Sequence, residues 1–255
     1  MRIALLGAGN LATNLGKALK NKGVEVVQVY SRTKESASAL ADILSCPYVT
    51  AIDAICCDAD LYIVALKDSA LAEMAVQIVN RNEGALFVHT AGSMPMDTLP
   101  CEHRGVFYPM QTFSKTKEVD FSEIPIFIEA QYEKDLLVLK QLANTLSRSV
   151  YELNSENRKY LHLSAVFCCN FANHCFAIGE RILKEHGGVP FEVMLPLIDE
   201  TARKLHSLSP QEGQTGPAVR WDENVIGKQL SLLDDEPVMQ EIYKLMSKSI
   251  HSNFT

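Results

Sequence analysis

The glycine-rich turn near the start of the chain constrains its fold more than any other feature. An apolar run, Arg2-Ile3-Ala4-Leu5-Leu6, leads directly into Gly7-Ala8-Gly9-Asn10-Leu11-Ala12, and an amphipathic pattern follows. Gly7 permits a tight turn, Gly9 lets backbone approach a ligand closely, and Ala12 is small enough for helix and strand to pack together. A helix starting there presents free N–H groups and a partial positive charge to whatever sits on the turn. A dinucleotide pyrophosphate needs this set, and the strand and helix patterns on either side make the motif specific. Residues 7–12 are therefore the expected phosphate-binding residues. The second strand, 25–30, ends at Ser31-Arg32-Thr33. An acid there would hold the ribose 2′-hydroxyl of NAD. Two hydroxyls around a guanidinium suit a 2′-phosphate instead, because arginine makes charge-assisted, often bidentate bonds to phosphate. The expected cofactor is NADP(H); the plainer alternative is a structural turn followed by an ordinary surface arginine.

Strand and helix patterns alternate through the first 150 or so residues, with strands expected at 2–6, 25–30, 48–50, 60–66, 85–89, 106–108, 124–129 and 149–153. Helices are expected at 10–21, 37–44, 68–81 and 133–147. This alternation implies an α/β fold with a doubly wound, mostly parallel sheet. The texture changes after Asn154. Residues 155–186 contain no proline and read as one long helix, apolar on most of its surface, ending at Gly187-Gly188. A helix apolar nearly all round is buried, by its own domain or by a second subunit. More helices are expected at 190–208, 222–233 and 237–250. The reading is a dinucleotide-binding domain at 1–153 and an all-helical substrate or dimerisation domain at 154–255 with one long central helix.

The chain has 255 residues, 47% hydrophobic and 22% charged, with a net charge of −7. It carries no basic block, which disfavours nucleic acid as a partner. No apolar run approaches the roughly 20 residues of a membrane span, so no membrane partner is expected. Seven cysteines, with no C-x-x-C spacing and with two adjacent pairs (Cys56-Cys57, Cys168-Cys169), read as buried thiols of a reducing, cytoplasmic compartment. Cys168 and Cys175 would share a helix face, but His174 lies well round from them and no fourth ligand stands at zinc spacing, so the cluster with Cys169 reads as packing and no metal is expected.

Ligands of a doubly wound sheet bind at the carboxyl ends of its strands. Three loops fall there: Ala65-Leu66-Lys67-Asp68, His89-Thr90-Ala91-Gly92-Ser93 and Tyr108-Pro109-Met110-Gln111-Thr112-Phe113. Ala65, Leu66, Lys67 and Thr90 join the expected cofactor contacts. Small residues in the second loop would let a nicotinamide lie against backbone, although that loop could be a plain turn. The long helix carries His162, Asn170, Asn173 and His174, with Arg158 and Lys159 before them. Buried polar groups cost on the order of 1–3 kcal/mol each unless paired, so such a stripe needs a reason. It faces either a substrate cleft, with His162 as proton donor, or another helix. In the segment Thr215-Gly216-Pro217-Ala218-Val219-Arg220-Trp221-Asp222, Arg220 could hold a substrate carboxylate or pair with Asp222 at a helix start. Ser93, His162, Asn170 and Arg220 form the expected substrate-side set. No Gly-x-Ser-x-Gly elbow or Walker loop supports a hydrolase or kinase.

Taken together, Gly-Ala-Gly-Asn-Leu-Ala, Ser-Arg-Thr, Tyr-Pro-Met-Gln-Thr-Phe, Leu161-His162-Leu163-Ser164-Ala165-Val166-Phe167 with Asn170, and Thr-Gly-Pro-Ala-Val-Arg resemble a bacterial family. Its members join a Rossmann-like domain to a helical domain of unknown function (domain 2520). That family is similar to pyrroline-5-carboxylate reductases, 6-phosphogluconate and β-hydroxyacid dehydrogenases, and deazaflavin-dependent NADP oxidoreductases. The resemblance implies an NADP-linked oxidoreductase acting on a small molecule, with a helical dimerisation domain and hence a homodimer. It implies no substrate. Tyr108 stands where the family carries histidine. The Lys-x-x-x-Asn pair of the β-hydroxyacid enzymes is missing, since Asn170 follows Val166. Two readings remain: a reductase or dehydrogenase for a small carbonyl, imine or hydroxy acid, and a non-catalytic dinucleotide-sensing dimer.

Overall fold

The computed structural model describes residues 1–82 and 84–253, in two compact units, Met1–Cys169 and Asn170–Thr255. The division falls inside the long helix, later than the expected boundary at 153.

The first unit is built on strands β1 (Arg2–Leu6), β2 (Glu25–Tyr30), β3 (Tyr48–Val49), β4 (Leu61–Val64), β5 (Leu86–His89), β6 (Arg104–Pro109), β7 (Ile126–Ala130) and β8 (Val150–Glu152). They form one sheet in the order β3-β2-β1-β4-β5-β6-β7-β8. Every neighbouring pair is parallel except β6–β7. Helices α1 (Asn10–Asn21), α2 (Lys34–Leu44), α3 (Asp68–Val79) and α4 (Glu133–Leu146) connect the strands. The central strands are apolar on both faces because both faces are covered. Ile3 and Leu5 of β1 point into a core shared with Leu15, Leu19, Leu40 and Leu142; Ala4 and Leu6 join Leu71, Met74 and Ile78. Side-chain alternation along a strand thus divides one sequence between two cores. Strand order reverses between β1 and β4, the place where such sheets open a crevice at their carboxyl ends.

The reversed direction of β7 brings residues from distant parts of the chain into line. The register pairs His89 with Val106 and Val106 with Glu129, so these three residues form one row across β5, β6 and β7. The chain then returns through β8 and enters α5 (Ser155–Ala165), whose first turn is capped by Asn154 accepting from the Asn157 N–H at 2.9 Å. Leu161 of α5 packs on a small third core of Val106, Tyr108 and Phe127. The two edges of the sheet are very short, with β3 two residues long and β8 three.

The helix begun by α5 continues to Gly187, 33 residues in all. It passes through π-helical turns at Val166–Phe171 and Leu183–Gly187, on either side of α6 (Ala172–Ile182). In the second unit a 3₁₀ turn at Phe191–Met194 precedes α7 (Leu195–Lys204), where one continuous helix was expected; α8 (Glu223–Ser231) and α9 (Pro237–Ser252) follow. Gln240 of α9 donates to the Leu230 carbonyl at 3.0 Å, and Tyr243 donates to Gln229 of α8 at 2.6 Å, which fastens the last two helices together.

Three expectations need correction. The long helix is not buried within its own chain: Leu163, Phe167 and Phe171 are each at least half exposed. Its length and composition do meet the measure of a membrane span, because interspersed Ser, Asn, Cys and His interrupt apolar runs without adding charge. Cys57, Cys168 and Cys169 are exposed and Cys56 is half-buried. Two of these lie on the exposed helix and two in the loop before β4, so their apolar neighbours do not enclose them.

Candidate active site

At the crevice the chain turns on Gly7, with φ at +128°. A Cβ there would stand 2.2 Å from the Ala65 carbonyl oxygen, so conformation and space both demand glycine. Gly9 is the opposite case: its Cβ would meet nothing within 4 Å. Gly9 also serves as the N-cap of α1, and no side chain caps that first turn. The helix therefore opens its N-terminus onto free space, the cradle that a pyrophosphate takes. The Asn10 side chain is committed elsewhere, donating to the Phe113 carbonyl at 3.0 Å, which leaves its backbone for a ligand. Asn14 donates to the Ser114 carbonyl at 2.9 Å, so the loop after β6 is fastened to α1 twice. Ser31, Arg32 and Thr33 follow β2. Arg32 and Thr33 are exposed, and among the described residues no carboxylate forms an ion pair with Arg32. A guanidinium so placed fits a 2′-phosphate. Ala65 is fixed by β1, its N–H donating to the Leu6 carbonyl at 2.7 Å, and Lys67 stands exposed as the N-cap of α3.

The loop after β5 is held from below by His89, which is fully buried. Its Nδ1 accepts from the Ala91 N–H at 3.2 Å, and its Nε2–H donates to the Pro95 carbonyl at 3.1 Å. This pattern needs one neutral tautomer. Burial, with the charge of Arg158 adding to it, pushes the imidazole down to about 4. The Thr90 N–H donates to the Val64 carbonyl at 3.2 Å. The Ser93 hydroxyl donates to the Asp68 carboxylate, which joins the loops after β4 and β5.

Gly92 is closely covered by side chains. A Cβ on it would lie 2.5 Å from His162 Nδ1 and 2.9 Å from Tyr108 Cζ. Those two side chains touch each other, the Tyr108 hydroxyl lying 3.1 Å from His162 Nδ1. Burial pushes the Tyr108 phenol up from its ordinary value, and Arg158 draws it back. Behind them lies an ion pair, Arg158 with Glu129, in which the arginine side chain is 1% exposed. The arrangement is a backbone wall at Gly92 with a phenol and an imidazole converging on it, suited to passing a proton to a ligand laid along that wall.

The structure thus brings Ser93 and His162 to one loop. Asn170, in the first π-helical turn, and Arg220 belong to the second unit. Arg220 is exposed and reaches Asp222 at 3.4 Å, while Asp222 caps α8 by accepting from the Val225 N–H at 3.2 Å. That is a helix-start pairing, the alternative to a substrate contact. Sequence reasoning missed Tyr108 as a side chain of the site and missed Glu129 altogether; it named Asp68, His89 and Arg158 only as neighbours of the expected site residues. Tyr108 was visible as the one departure from the family pattern; Glu129 carries no signal and Arg158 only its place before the polar stripe, both being residue types that usually lie on surfaces.

Two family models match the chain. One, described as NADP oxidoreductase, coenzyme F420-dependent, covers residues 2–92; the other, a domain of unknown function (DUF2520), covers residues 124–250. A Bacteroides fragilis protein provisionally named an NADP oxidoreductase is 57% identical, with 98% of each chain covered and a TM-score of 0.94. An imine reductase from Myxococcus stipitatus in complex with NADP⁺ is 14% identical, with 99% of this chain and 93% of that one covered and a TM-score of 0.71. A pyrroline carboxylate reductase from Plasmodium falciparum with NADP bound is 12% identical, with 98% of each chain covered and a TM-score of 0.60. The last two likenesses are of fold alone. No curated protein matches the chain in sequence.

Proposed function

The chain belongs to the family that joins an NADP oxidoreductase domain to a domain of unknown function (DUF2520), and on that premise we propose an NADP(H)-dependent reductase or dehydrogenase for a small carbonyl, imine or hydroxy acid. The observation that carries this reading is the convergence of Tyr108 and His162 on Gly92, at the strand ends that also form the Gly7–Gly9 turn. NADP(H) is the cofactor. The backbone of residues 7–12 would hold its pyrophosphate and Ser31-Arg32-Thr33 its 2′-phosphate, and when bound it supplies the hydride equivalent. The chain's own residues do the rest. Gly92 keeps the wall flat, His162 offers a proton, Tyr108 fixes the ring of His162, and Asp68 orients the Ser93 hydroxyl. Asn170 and Arg220 remain proposed substrate contacts, to be tested singly by replacement. A second copy of the chain is the proposed cover for the long helix. Its polar residues at 162, 170, 173 and 174 would be costly against lipid.

The test is a titration of the purified protein with NADPH, NADH and NADP⁺, followed by nicotinamide fluorescence, with Arg32→Ala in parallel. We expect Arg32→Ala to weaken NADPH at least about tenfold more than NADH, the loss of one charge-assisted phosphate contact. Equal losses would remove the 2′-phosphate assignment. Bound NADPH that reduces no member of a panel of cyclic imines, 2-oxo acids and aldehydes would favour a nucleotide sensor.

A further inference from the structure

Arg158 heads the large side chains fully buried among the described residues, and neither nucleotide binding nor proton transfer gives it a task. Its guanidinium pairs with Glu129 through Nη1. Through Nη2 it donates to the Met94 carbonyl at 2.6 Å and to Ser155 Oγ at 3.1 Å. Glu129 in turn accepts from the Ser155 N–H at 3.0 Å and from the Ser155 hydroxyl at 2.7 Å, while Ser155 Oγ accepts from the Met96 N–H at 2.9 Å. These bonds join three pieces of chain: the loop that carries Gly92 and Ser93, the strand β7, and the first turn of α5. His162 lies one helical turn beyond Arg158, on the same side of α5. Whatever fixes Arg158 relative to Met94 therefore fixes His162 relative to Gly92.

Stability alone is a poor reason to keep this group. Buried ion pairs recover little more than their desolvation cost, and well-packed apolar replacements are often as stable. Arg158 also leaves its Nε–H buried without a hydrogen-bond partner among the described residues, a further penalty. What the guanidinium supplies that an apolar group cannot is a planar fork with fixed directions.

We propose that Arg158, held by Glu129, is a positioning residue that sets the separation between the Gly92 backbone and the His162–Tyr108 pair. The proposal rests on the oxidoreductase reading for its consequence, but its geometric content does not. The experiment compares wild type with Arg158→Lys, which keeps the charge and loses the fork, and with Glu129→Gln, which keeps an acceptor and loses the charge. The first readout needs no cofactor: NMR of the protein with labelled histidine. In wild type the ring ¹⁵N shifts should report a hydrogen bond at His162 Nδ1, and the ring should show proximity to the Gly92 Hα. Both signatures should be lost or averaged in each variant while the protein stays folded. The second readout is turnover with NADPH of 2-methyl-1-pyrroline and of pyruvate. Where wild type reduces a probe, kcat should fall about a hundredfold, as an ångström-scale misplacement does, with NADPH affinity within about twofold. Lower melting temperatures with unchanged ring signatures would overturn the proposal and leave Arg158 a structural residue. If wild type reduces neither probe, that result bears on the oxidoreductase reading, and the ring signatures alone decide this one. Should Arg158→Lys fail to fold, Glu129→Gln carries the same measurements.

Discussion

A single missing methyl group at residue 92 sets how closely the rings of His162 and Tyr108 approach the backbone. The backbone of Gly92 does not adopt a positive φ, so alanine is conformationally allowed there, and the rings of His162 and Tyr108 are the nearest groups in its way. Gly92→Ala should therefore fold and bind NADPH within about threefold of wild type, yet turn over about a hundredfold more slowly. His162→Gln should likewise lower turnover and spare nucleotide affinity. Unchanged turnover in both would take the pair out of the chemistry. His89, beneath the same loop, departs from an ordinary surface histidine. Its folded value of about 4 lies below the usual 6.5, so protonation favours the unfolded chain. The stability tied to this ring is complete above about pH 6.5 and is lost as pH falls towards 4, by up to about 3 kcal/mol. An NMR titration should find His89 neutral at pH 5; half-protonation near pH 6.5 would contradict the buried tautomer.

Among the elements, the sheet was legible because buried parallel strands announce themselves as short apolar runs between turns. The strands at 2–6 and 25–30 and the helix at 10–21 stand where the patterns put them. The glycine turn was legible for a stronger reason, since Gly7 has no alternative. The π-helical turns were not, because such turns arise from packing and leave no mark on periodicity. Nor was the Arg158–Glu129 link, which depends on the register of an antiparallel strand in a mostly parallel sheet. Asn14 shows how an element can be tied through one buried amide. It donates to the Asn10 carbonyl at 2.9 Å as well as to Ser114, and is 5% exposed. Asn14→Ala should cost about 1 kcal/mol and speed amide hydrogen exchange in residues 111–117. Unaltered exchange there would mean the loop is held by other contacts.

For the whole molecule, the open question posed by the structure is what covers the long helix. Phe167 is 62% exposed, Phe171 50% and Phe176 40%, on one element. A second copy should make the protein sediment as a dimer, and Leu163→Glu with Phe176→Glu should shift it towards monomer at micromolar concentration. A wild-type protein that sediments as a monomer, or floats with phosphatidylcholine vesicles, would reject that cover. Short edge strands have a separate consequence. With only two residues in β3 and three in β8, the sheet offers other chains almost no free hydrogen-bonding ladder to extend. Pairing of backbone with backbone at the sheet edges is thereby disfavoured, so contact between copies of the chain falls to side chains.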